Sequence, residues 1–175
     1  MLTFTACAKD PYMVDISYLP KETQQKHQQL LKESQEQYNK ATDPAEKSKF
    51  ATEVAFNNMT LGNYREAINY YQKVLEFDAV HFPALNNLAY MHEEAGDLVK
   101  ALEFEKRLYE SNNTNSAVVE DTIRVLVKNN MFNDAQGVLE AFSKYNKSSG
   151  ENKYTKFVSD QFAYIMEAKT KSKTK

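Results

Sequence analysis

Between residues 64 and 77 the apolar positions Tyr64, Ile68, Tyr71 and Leu75 recur at spacings of three and four, which is one face of a helix. Leu85, Leu88, Ala89 and His92 repeat the pattern between 82 and 95. Three short stretches punctuate these segments: Gly62 to Ala67, Gly96 to Ala101 and Asn130 to Ala135. Their alanines, Ala67, Ala101 and Ala135, stand 34 residues apart, and the bulky Tyr64, Leu98 and Phe132 keep the same interval. A period of about 34 residues predicts stacked helical hairpins. Gly62 and Gly96 supply the left-handed conformation that ends a helix, and Asn130 adopts it at some cost. Alanine at each hairpin crossing lets two backbones approach closely, so a larger residue there overpacks the contact. A single hairpin is too small to bury its apolar side, and neighbours must stack. No alternating run is long enough for a strand, with 13–18 the one exception. The expected class is all-α.

Two flanks lie outside the repeats. Residues 21–47 read as a polar, glutamine-rich helix after Pro20 and a connection, its thin apolar side being His27, Leu30, Leu31, Tyr38 and Ala41. Such a helix suits an N-terminal cap with one wet face. Thr42, Asp43 and Pro44 start the next helix, with proline in its first turn. After a break at Ser148, Ser149 and Gly150, a C-terminal capping helix is expected within 147–168, carrying Tyr154, Phe157, Val158, Phe162, Ile165 and Met166. Residues 1–20 are expected to be flexible or extended, and 169–175 a disordered basic tail.

The repeat pattern resembles the tetratricopeptide repeat family over about 48–146, in three copies: 48–81, 82–115 and 116–146. The second copy matches best, through Leu85, Leu88, Ala89, Gly96, Leu98, Ala101, Leu102 and Leu108. The first matches in its second helix, and the third departs at Ile123, Asn130 and Gly137. The resemblance implies a right-handed hairpin solenoid that acts as a non-catalytic adaptor or scaffold. Carried over by register, its concave groove offers Lys49, Thr52, Glu53, Phe56, Met59 and Thr60 from the first repeat. The second offers Asn86, Asn87, Tyr90, Glu93 and Glu94, and the third Glu120, Asp121, Arg124, Val127 and Lys128. Asparagine amides both donate and accept, which suits the backbone of an extended peptide. Phe56, Tyr90 and Met59 suit an apolar side chain. The acids outnumber the bases, so a neutral or basic segment is the preferred partner. Family members that grip chaperone C-terminal tails use a five-residue carboxylate clamp. The corresponding positions here are Thr52, Phe56, Asn87, Ala117 and Asp121; only Asn87 fits, and no chaperone-tail binding is expected.

Composition narrows the picture further. The formal net charge is −2 over 175 residues, which argues against general nucleic-acid binding. The one basic run is Lys169, Lys171, Lys173 and Lys175. His27, His81 and His92 have no metal-ligand spacing, and Cys7 alone makes neither a disulfide framework nor a thiolate site. Glu93 with Glu94 and Glu120 with Asp121 are adjacent carboxylates, which do not face each other on a helix and so form no acid–base dyad. No catalytic centre, metal or cofactor is expected, and no segment is long enough to span a bilayer. The stretch Phe4-Thr5-Ala6-Cys7 resembles the end of a bacterial lipoprotein signal, but no basic residue precedes it. Either Met1 is internal to a longer precursor, giving an envelope lipoprotein similar to those that assist pilus or outer-membrane assembly, or Cys7 is an ordinary thiol in a cytoplasmic protein. The second reading is favoured. Self-association is a further variant, driven by the aromatic C-terminal helix or by 13–19 lying in another copy's groove.

Overall fold

The computed structural model describes residues 10–148 and 154–174. Among them are eight helices: α1 (Lys21–Lys40), α2 (Pro44–Thr60), α3 (Tyr64–Phe77), α4 (Phe82–Glu94), α5 (Leu98–Asn112), α6 (Ser116–Lys128), α7 (Phe132–Ser148) and α8 (Thr155–Ser172). The described residues contain no strand, only a single bridge between Met13 and Asn63. Contacts group the chain into two units, Met1–Ala84 with Glu94–Gly96, and Leu85–Glu93 with Asp97–Lys175.

In the first unit α2 packs against both α1 and α3. Asp43 caps α2 by accepting from the Ala45 and Glu46 amides, with Pro44 in the first turn. Ala51, Val54, Ala55, Ala67, Tyr71 and Val74 are fully buried. Tyr70 is fixed by Gln35, whose Nε2 donates to its hydroxyl at 2.6 Å, and by an edge-on Tyr38 ring at 5.4 Å.

The second unit joins α5 to α6, α6 to α7, and α8 to both α6 and α7. Leu85, Leu88, Met91, Ala101, Val119, Ile123, Val125 and Ala135 are among its fully buried residues, with Phe142 and Ile165 almost as enclosed. Phe142 meets Tyr154 and Phe157 edge-on at 5.2 and 5.3 Å. His92 is buried against Phe104, their rings stacked with centroids 5.6 Å apart. Burial and the nearby Lys100 hold this imidazole below its ordinary pKa.

The three helix-ending turns are left-handed as the spacing predicts, with φ of 76° at Gly62, 79° at Gly96 and 59° at Asn130. Gly62 carries a second constraint. Residues 10–19, with turns of their own at 11–12 and 17–18, cross the α2–α3 turn, where the Val14 amide donates to Gly62 O and the Tyr64 amide to Tyr12 O, both at 3.0 Å. A Cβ on Gly62 would stand 2.3 Å from Val14 O, whereas one on Gly96 would meet nothing within 4 Å. Asp10 also accepts two hydrogen bonds from the Arg65 guanidinium, at 2.6 and 3.0 Å.

Several sequence expectations are corrected here. Residues 10–19 are not loose, being hydrogen-bonded to the α2–α3 turn of their own chain. The start of α2 is as the sequence implies, at Pro44 with Asp43 as its cap, which lies ahead of the repeat boundary at 48. The third repeat's second helix continues through Ser148, and the last helix runs from Thr155 to Ser172, so most of the supposed tail is helical. Lys171 paired with Glu167 at 2.6 Å, and the Thr170 hydroxyl donating to Met166 O, extend that helix past 168.

Candidate protein-binding face

The expected groove residues stand on the first helix of each repeat, α2 in the first unit and α4 and α6 chiefly in the second, and each unit is taken by itself. In the first unit, α2 turns its buried alanines and Val54 inward, which leaves Lys49, Thr52, Glu53, Phe56 and Met59 on its other sides. Lys49 is exposed, Thr52, Glu53 and Met59 are half-buried, and Phe56 is 47% exposed. The Thr52 hydroxyl is turned back onto its own helix, donating to Ser48 O at 2.9 Å.

In the second unit, α4 presents Asn86 and Asn87, both half-buried, and Tyr90, which is 46% exposed. Glu94 is exposed and falls in the first unit with the turn that follows. Asn115 caps α6 by accepting from the Ala117 amide. That helix places Glu120 and Lys128 in solvent and leaves Asp121 and Arg124 half-buried.

The register places Glu93 on the open face, and the structure encloses it: its side chain is 4% exposed. Arg124 Nη1 donates to Glu93 Oε1, and Lys128 Nζ donates to the same oxygen at 2.6 Å. Arg124 Nη2 turns to Asp121 Oδ1 at 2.8 Å. Burial works to raise the Glu93 pKa, but the hydrogen bonds from Arg124 and Lys128 outweigh it and hold the carboxyl below its usual range. Four of the expected groove charges therefore satisfy one another and tie α4 to α6. The cluster takes up acids and bases in equal number, so the negative excess among the remaining groove charges is unchanged.

Behind this cluster lies a group the spacing did not single out. Glu105 of α5 is buried, and its nearest polar partner is the Thr122 hydroxyl, which donates at 3.4 Å. Burial first, and the Asp121 and Glu93 charges with it, push the Glu105 carboxyl up to about 7. A charged residue amid the apolar positions of α5, one turn from Ala101, was the available sequence signal. Cys7 lies outside the described residues, so its chemistry keeps the standing of an expectation. Among the described residues no helix is long and apolar enough to cross a membrane.

Repeated helix pairs, alanines at the crossings and left-handed residues at the turns define a helical-hairpin repeat protein. Residues 59–116 match the family model described as tetratricopeptide repeat. Repeats of this family generally mediate protein–protein interaction and are generally non-catalytic. No curated protein matches the chain significantly.

Proposed function

We propose that this protein is a non-catalytic adaptor that holds a peptide or protein segment through exposed residues on the first helices of its repeats, α2 in the first unit and α4 and α6 in the second. One observation carries the reading. Phe56 and Tyr90 occupy the same register position, 34 residues apart, and each leaves nearly half of an aromatic ring in water. Aromatic side chains presented in this way are the residue type that anchors protein interfaces. Asn86 and Asn87, beside Tyr90 on α4, suit the amides of an extended chain. Glu53, Glu94 and Glu120 favour a neutral or basic segment, and Asp121 would repel the terminal carboxylate of a chaperone tail.

The test is a quantitative pull-down from the native cell, comparing the wild type with Asn87→Ala/Tyr90→Ala, combined with a photo-crosslinking amino acid at position 90. A partner that crosslinks at 90 and is lost with the double variant, while helicity and melting point are kept, supports the reading. A partner retained by both proteins moves the binding site elsewhere on the chain.

A further inference from the structure

Phe56 has a second neighbourhood within the first unit. The α1 and α2 helices enclose an open cleft of about 500 Å³, and among the residues lining it are His27, Leu30, Glu33, Glu53, Phe56 and Asn57. That size is in the range of pockets that hold small ligands or single side chains. The cleft is a built one. Asn57 Nδ2 donates to Glu53 O at 2.8 Å, which leaves its Oδ1 to accept from His27 Nδ1 at 2.8 Å and fixes the imidazole. The fixed imidazole meets the Phe56 ring edge-on, with centroids 6.1 Å apart. Leu30 and Phe56 leave apolar surface in the opening. Both ionisable acids of the lining are glutamates, and among the described residues no lysine or arginine lines it.

We infer that this cleft is a specificity subsite for a basic side chain, arginine above all, borne by the bound partner segment next to an apolar residue. The inference rests on the proposed peptide-binding role and deepens it. The chemistry is complementary on each count. An aromatic face attracts a cation, and a planar guanidinium stacks on it. Glu33 and Glu53 supply the opposite charge, and Leu30 accepts the neighbouring apolar side chain. An acidic ligand finds no counter-charge, and a purely apolar one leaves two carboxylates to be desolvated.

The test titrates the capped dipeptide acetyl-Leu-Arg-amide into the isotope-labelled full chain and follows amide shifts by NMR. The control is the same dipeptide with citrulline, which keeps the shape of arginine and lacks its charge. The expected result is saturable shifts at His27, Leu30, Glu53 and Phe56, with the arginine probe binding about tenfold tighter and weakening as salt rises. In Glu33→Gln/Glu53→Gln the preference for arginine disappears. Equal binding of the two probes to the wild type overturns the inference without recourse to any variant, as do shifts confined to other helices. A partner that crosslinks at position 90 while the arginine probe fails leaves the adaptor reading standing and removes the subsite. Arginine-selective binding in the cleft without any groove partner does the reverse.

Discussion

Gly62 and Gly96 end equivalent helices at nearly equal φ, 76° and 79°, but only Gly62 has another chain segment against it. Replacing each by alanine separates two costs. The left-handed conformation alone costs an alanine about 1–2 kcal/mol, and Gly96→Ala should lose no more than that. At Gly62 the new methyl would also stand 2.3 Å from Val14 O, so residues 10–19 must move away. That movement breaks the main-chain bonds from Val14 to Gly62 and from Tyr64 to Tyr12. Each contributes about 0.5–1.5 kcal/mol net, so Gly62→Ala should cost roughly 1–3 kcal/mol more than Gly96→Ala. The assay is urea denaturation of both variants, in the full chain and in a chain lacking residues 1–16, with hydrogen exchange of the Tyr64 amide as the local readout. In the shortened chain the excess should vanish and the two variants should converge. Equal losses in the full chain, or an excess that survives the deletion, would refute the argument.

Three further outcomes follow from the second unit. The Glu105 carboxyl sits at about 7 in the folded protein against 4.5 ordinarily, so between those values the folded state holds a proton the unfolded chain has released. Stability should fall as pH rises through that window, by roughly 3 kcal/mol at most, and level off above it; Glu105→Gln should flatten the curve and melt higher at pH 8. Glu93→Gln should destabilise by about 1–3 kcal/mol in denaturation at pH 7, and because the Glu93 pKa is lowered, the wild type's advantage should persist to pH 5 and fade only in stronger acid. Gly137 is exposed within α7, and an added Cβ there meets nothing within 4 Å. Gly137→Ala should therefore stabilise by about 0.5–1 kcal/mol, read as a higher melting temperature.

Local rules made the helices legible. The 34-residue interval of Ala67, Ala101 and Ala135 marked crossings that are fully buried, and Asn130 takes the conformation its place among two glycines implied. Contacts between distant segments were not legible. The alternation at 13–18 hints at extended chain, but nothing in it names the turn some fifty residues on with which Met13 forms a single bridge. Glu93 was placed on the right helix but in the wrong environment, since its partners arrive 31 and 35 residues later, on α6. Those offsets straddle the repeat length, so opposite charges near the same register position on successive first helices are a signal worth reading. The lysines past 168 read as a tail by composition, yet the i,i+4 pair of Glu167 and Lys171 lets the helix run on.

The three turns also set how freely each repeat can change over evolutionary time. Asn130 shows that asparagine suffices where the backbone conformation is the sole requirement, and Gly96 has open space around it. Those two turns should drift among glycine and asparagine at small cost to the fold. Gly62 must also leave room for Val14 O, which asparagine cannot do. Divergence at that position should therefore occur only in lineages whose leading segment has itself been lost or rerouted, making the first turn a marker of whether that segment is kept.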